Sequence, residues 1–125
     1  MNEIIDKHFL NENYLLYFHD PFDDNWGKES YKLLHKIDTI ENYWKITKLI
    51  EDKTDIGMFF LFREYIFPLW DDPLNINGGA LSMKILKTDS YLVWEDLSSK
   101  FVSDNLLKEK NIDKSELING ISISP

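Results

Sequence analysis

Apolar positions along the chain change their period several times, and each change marks an element. Tyr14–His19 is a nearly continuous apolar run stopped by Asp20-Pro21, which predicts a buried strand entering a loop. That loop, Asp20–Lys28, carries three Asp before Trp26-Gly27. Tyr31–Ile37 predicts a second strand. Asp38-Thr39 followed by Glu41 predicts a helix start, with Asp38 capping the first turn and Glu41 reaching back in a capping-box arrangement. The helix is expected to run to about Ile50. Tyr43, Ile46, Thr47 and Ile50 share its apolar face, whereas Trp44 projects roughly 120° away, between Ile40 and Lys48, and is expected to be partly exposed.

Gly57–Phe62 is apolar and aromatic enough for a central strand. Arg63–Gly79 holds Pro68, Pro73 and Gly78-Gly79 and predicts a long loop with Trp70 in its middle. Ala80–Lys87 alternates Leu81, Met83 and Ile85 with Ser82 and Lys84, the pattern of a half-buried strand. Thr88-Asp89-Ser90 supplies caps for a second helix to about Leu107, with Trp94, Leu97, Phe101 and Val102 as its buried stripe. Ile118–Ser124 alternates again as a last strand. The order strand, strand, helix, strand, strand, helix, strand predicts an α+β domain. Its mainly antiparallel sheet carries both helices on one face and leaves the other face, with the Trp26 and Trp70 loops, open for a site.

Composition narrows the chemistry. At 125 residues, 43 % hydrophobic and 29 % charged, the chain suits one globular domain. Cysteine is absent, which excludes disulfides, thiolate metal sites and cysteine nucleophiles. There are 14 Lys and Arg against 22 Asp and Glu, a net −8, and Arg63 is the sole guanidinium. An acidic surface disfavours extended nucleic-acid binding but not the gripping of one nucleotide. No run nears the roughly 20 apolar residues of a membrane span, and Met1–Leu10 is unlike a signal peptide, so a cytosolic or nuclear protein away from membranes is expected.

Trp26, Trp70 and the neighbouring Asp71 form the most informative candidate site. Two parallel indoles sandwich a flat ring, more strongly when it is cationic, and a carboxylate beside them accepts two N–H bonds from the ring edge. N7-methylated guanine has that charge and those donors. From the residues alone, the competing reading makes one Trp core and the other a surface plug. His8, His19 and His35 lack metal-ligand spacing and are expected at the surface or at strand ends, with no metal. Asp20, Asp23 and Asp24 lack the spacing and glycine of a calcium loop and read as a solvated turn. Gly78-Gly79 reads as a turn rather than a phosphate loop, and Trp94 as core.

Several of these stretches together resemble the eukaryotic translation initiation factor 4E family, which binds the 7-methylguanosine cap of messenger RNA. The likeness runs from about His8 onwards: Tyr14-Leu15-Leu16-Tyr17-Phe18, then Trp26, then Asp38-Thr39-Ile40-Glu41-Asn42-Tyr43-Trp44, then Phe67-Pro68-Leu69-Trp70-Asp71-Asp72, then Asn77-Gly78-Gly79. It implies a curved sheet with helices on its convex face in a single domain over residues 1–125, with residues 1–9 as an N-terminal arm. Trp26 and Trp70 would stack on the methylated base, Asp71 would take its N1 and N2 hydrogens, and the Trp70 backbone N–H would meet O6. Family members usually carry Glu at the position of Asp71.

The resemblance further implies that Trp44, supported by Ile40, docks a Tyr-x-x-x-x-Leu-apolar helix of a scaffold or repressor protein. Positions that are apolar in the family's second helix fall here at Glu95 and Ser99. The family strand matching Ile118–Ser124 leads into basic phosphate-binding residues and further strands and a helix, which are lacking here. The family's Arg after the second Gly is replaced by Ala80. A cytoplasmic, monomeric, non-enzymatic translation factor without cofactor is expected. The alternative is a 4E-like interaction module that binds scaffold or repressor helices but not the cap.

Overall fold

The computed structural model describes residues 7–106, 108, 109, 112, 113 and 118–125. Four strands, β1 (Phe9–His19), β2 (Lys32–Thr39), β3 (Met58–Arg63) and β6 (Gly120–Ile123), form a sheet of order β2-β1-β3-β6. All three pairings are antiparallel, with Leu16 opposite Leu61 and Phe59 opposite Ile123. A separate two-stranded pair, β4 (Lys108–Glu109) with β5 (Ile112–Asp113), has no counterpart in the elements expected from the alternation.

Strand alternation divides the residues between two faces. Tyr14, Leu16, Ile37, Phe59 and Leu61 point to the side covered by helices α1 (Ile40–Leu49) and α2 (Ser90–Val102). They close on Tyr43, Ile46, Ile50, Trp94, Phe101 and Val102 as one core. Trp94 is core, as its spacing predicts. On α1 the expected apolar face is buried and Trp44 is left exposed. The α2 stripe needs one correction: Leu97 is only half-buried, and Ser98 lies inward instead, where its hydroxyl meets the Tyr43 hydroxyl at 2.6 Å. A buried phenol needs such a partner.

Both helix ends differ from expectation. Thr39, still extended at the end of β2, caps α1 by accepting the Asn42 N–H at 3.0 Å, so the helix begins one residue later than an Asp38 cap would place it. Glu41 then falls outside the capping-box position and accepts the His8 backbone N–H instead. None of the side chains of Thr88, Asp89 and Ser90 caps α2; Ser90 bonds Thr54. The helix stops at Val102 because Asp104 turns left-handed (φ 60°), letting Asp104 N–H reach Phe101 O and Asn105 N–H reach Lys100 O. That is the Schellman arrangement, and Asp tolerates it. The expected extension to Leu107 ends on a residue outside the described ones, as residues 1–6 of the N-terminal arm are.

The strand expected at Ala80–Lys87 is absent. Leu81 is 97 % exposed, and none of residues 80–86 enters a ladder among the described residues. Alternation creates a strand only where a neighbour supplies the backbone partners.

Candidate functional site

The sheet face away from the helices is floored by aromatic rings. Tyr17 from β1, Phe60 from β3, and Tyr31 and Phe67 from the flanking segments meet edge to face: Tyr17–Phe67 at 5.0 Å, Tyr31–Phe60 at 5.2 Å and Tyr31–Phe67 at 5.5 Å. Burial pushes the Tyr17 and Tyr31 phenols above their ordinary range. Above this floor lies a groove of about 960 Å³, lined by Trp26, Lys28, Phe67, Trp70 and Asp71 among others.

Two irregular loops supply its walls. In the first, the Asp residues make turns: Asp20 accepts the Phe22 N–H, Asp23 the Asn25 N–H, and the Asn25 carbonyl oxygen of the side chain the Gly27 N–H, each at 2.8–2.9 Å. These are Asx turns, consistent with the solvated-turn reading. They deliver Trp26 with its ring stacked on His19 at 3.8 Å and 2°, and with 47 % of the residue exposed.

The second loop carries Trp70 and Asp71. Asp72 accepts the N–H groups of Phe67 and Leu74, and the Asn75 amide donates to the carbonyls of Phe67 and Leu69 at 2.8 and 2.7 Å. Asn119, just before β6, donates to Leu74 O and Asn75 Oδ1, tying the loop to the sheet. Gly78 N–H closes a turn on Asn75 O. Trp70 stands 75 % exposed on this braced support.

The geometry thus brings Trp26, Trp70 and Asp71 to one groove, with neither indole in the core. Trp44 and Ile40 lie elsewhere, both exposed on α1, with the Trp44 ring edge-on to Tyr43 at 5.0 Å. His8 meets Glu41 with Nδ1 2.6 Å from the carboxylate, which holds that carboxyl below its ordinary range. His35 is exposed. His19 ends β1, within the expected surface or strand-end settings, and is fully buried. Among the described residues no cluster of His, Asp and Glu suits a metal ion. His19, Tyr31, Phe60 and the bracing pair Asp72 and Asn75 do not stand out as groove residues in the sequence. Only the period-two placement of Tyr17 and His19 signals a second lined face.

Residues 9–125 match the family model described as eukaryotic initiation factor 4E. The chain belongs to that family. It is 30 % identical over 99 residues to initiation factor 4E allele A of Solanum tuberosum, covering 74 % of this chain and 42 % of that protein. It is 33 % identical over 89 residues to the 4E homolog of Acanthamoeba polyphaga mimivirus, covering 71 % and 30 %. The chain therefore spans less than half the length of these relatives. Among solved structures, Ascaris suum eIF4E-3 in complex with m7G cap matches with a TM-score of 0.72 at 22 % identity, covering 94 % of this chain and 66 % of that one. Caenorhabditis elegans eIF4E-3, solved with the 4E-binding protein Mextli and a cap analog, gives 0.71 at 19 % identity with the same coverage. These likenesses establish the 4E fold. Among the described residues, no helix is long and apolar enough to cross a membrane.

Proposed function

We propose that this 4E-family chain binds the 7-methylguanosine cap of messenger RNA in the Trp26–Trp70 groove and docks a scaffold or repressor helix on Trp44 and Ile40. The observation that carries the first half is the convergence of two exposed indoles and Asp71, remote in sequence, on one groove. Trp26 and Trp70 stack on the two faces of the cationic base, and Asp71 accepts its N1 and N2 hydrogens. Stacking contributes about 1–3 kcal/mol per ring and a charge-assisted hydrogen bond about 1.5–3. The gross sum, roughly 4–9 kcal/mol, corresponds to dissociation constants between about millimolar and micromolar before ordering costs. Support also comes from the relatives solved with an m7G cap and with a 4E-binding protein. The role is binding, not catalysis, in a cytoplasmic monomer.

One observation favours the alternative, an interaction module without cap binding. Among the described residues that line the groove, Lys28 is the one cation, and its Nζ already lies 4.9 Å over the Phe67 ring, leaving the nucleotide phosphates few partners. Calorimetry with 7-methyl-GTP and GTP decides between the two. The cap reading expects measurable binding of the methylated nucleotide and about tenfold weaker binding of GTP, since the indole faces favour a cation. Equal affinities overturn it. Absence of nucleotide binding, with retained capture of a Tyr-x-x-x-x-Leu peptide, selects the interaction module.

A further inference from the structure

Beneath Trp26 lies a polar side chain that the aromatic floor does not explain. His19 is fully buried, and both of its ring nitrogens face main-chain oxygens of the loop it begins: Nδ1 is 2.8 Å from Asp20 O and Nε2 is 2.7 Å from Asn25 O. A carbonyl oxygen only accepts, so both contacts are hydrogen bonds only when both nitrogens carry hydrogen. A neutral imidazole has one donor and would leave a lone pair against a lone pair, a buried arrangement that proteins avoid. The ring also lies flat against Trp26 at 3.8 Å, where a cation is attracted by the indole face.

We propose that His19, as an imidazolium, is a positioning residue for Trp26: it staples residues 20 and 25 of the loop together and carries the indole on its own face, so that the opposite indole face is presented to the groove. The consequence for ligand affinity rests on the cap-binding reading above; the protonation state does not. The ionisable groups around the ring are consistent with it. Asp20, Asp23 and Asp24 belong to the same loop, Glu29 is bonded to the Asn25 amide, and the Tyr31 ring edge is 5.2 Å away. From β3, the residue opposite His19 is the uncharged Met58, and the nearby cation Lys28 is turned over Phe67.

A cationic base on the far side of Trp26 would sit about 7 Å from the buried imidazolium, and at an effective dielectric constant of about 20 their repulsion, worth roughly fiftyfold in affinity, opposes what the positioned loop contributes. His19→Phe, which keeps the stack and removes both bonds to the loop, is expected to raise hydrogen exchange of the amides between Asp20 and Trp26 about tenfold over the unmodified chain.

The direct reading is the long-range proton–nitrogen NMR spectrum of the unliganded protein at neutral pH, in which both His19 nitrogens should have the signature of N–H. A lone pair on either nitrogen overturns the proposal, as does a folded His19→Phe variant whose loop amides exchange no faster than those of the unmodified chain. The spectrum is decisive even where that variant does not fold. Failure of the unmodified chain to bind 7-methyl-GTP would refute the cap reading and leave the His19 spectrum to be judged separately.

Discussion

Trp26 and Trp44 are almost equally exposed, 47 % and 46 %, yet the two are held by different means. Trp44 is fixed by its own helix: once α1 forms with Tyr43 and Ile46 inward, the next position has to face out. Trp26 and Trp70 sit on segments without regular structure, and their meeting depends on β1 pairing with β3, on Asx turns and on the Asn119 brace. The helix face is therefore a local property of about ten residues, whereas the groove is a property of the whole sheet. One surface survives small changes in the loops, and the other does not.

The strongest way to break this contrast is to remove what both surfaces share. Arg63, at the end of β3, is buried with its guanidinium against Glu12 of β1, the Ile118 carbonyl, and the rings of Tyr14 and Phe101. Arg63→Ala leaves that carbonyl unpartnered and a void beside two rings, at a cost of about 3 kcal/mol in urea unfolding. Both binding activities are expected to fall together with the fold.

Single-face substitutions should then separate. Trp70→Ala is expected to weaken 7-methyl-GTP binding about ten- to a hundredfold in calorimetry while leaving the unfolding midpoint unchanged, because the ring is exposed. Trp44→Ala should do the reverse: about thirtyfold weaker capture of a Tyr-x-x-x-x-Leu peptide, with nucleotide binding intact. If Trp44→Ala also abolishes nucleotide binding, the two regions are coupled and the contrast fails.

The same distinction explains what can be read from the sequence. The α1 face and the core role of Trp94 follow from the 3.6-residue period, and the central strands β1 and β3 from short continuous apolar runs, all of which local sequence encodes. The strand expected at Ala80–Lys87 has a period-two alternation, but its existence depends on a partner edge that local sequence does not reveal. Thr39 displaces Asp38 as the cap because β2 extends to the helix start, a fact about strand length. Within the groove, Trp26, Trp70 and Asp71 stand out by residue type, yet their convergence is long-range: the residues alone leave a core-and-plug reading open, and the resemblance to the 4E family favours the sandwich. His19 reads as a surface or strand-end residue, and its burial at the end of β1 has no local signal because it is made by a loop folding back over it.

The smallest expected effect tests the helix face from its edge. Glu41, in the first turn of α1, accepts from His8, and Ile40 N–H bonds His8 O at 2.9 Å, so this contact ties the start of β1 beside Ile40 and Trp44. The His8 hydrogen bond holds the Glu41 carboxyl below its ordinary value of 4.5. The unfolded chain thus takes up that proton more readily than the folded one, and the resulting stabilisation is complete above the ordinary carboxylate range. It is lost as pH falls through the lowered folded-state value. Glu41→Gln removes this contribution, so its melting temperature should lie slightly below that of the unmodified chain at neutral pH and converge with it in acid. Because the contact is local to α1 and the start of β1, nucleotide affinity at neutral pH should not change. A Glu41→Gln variant with altered groove binding would show that the helix face reaches through the sheet after all.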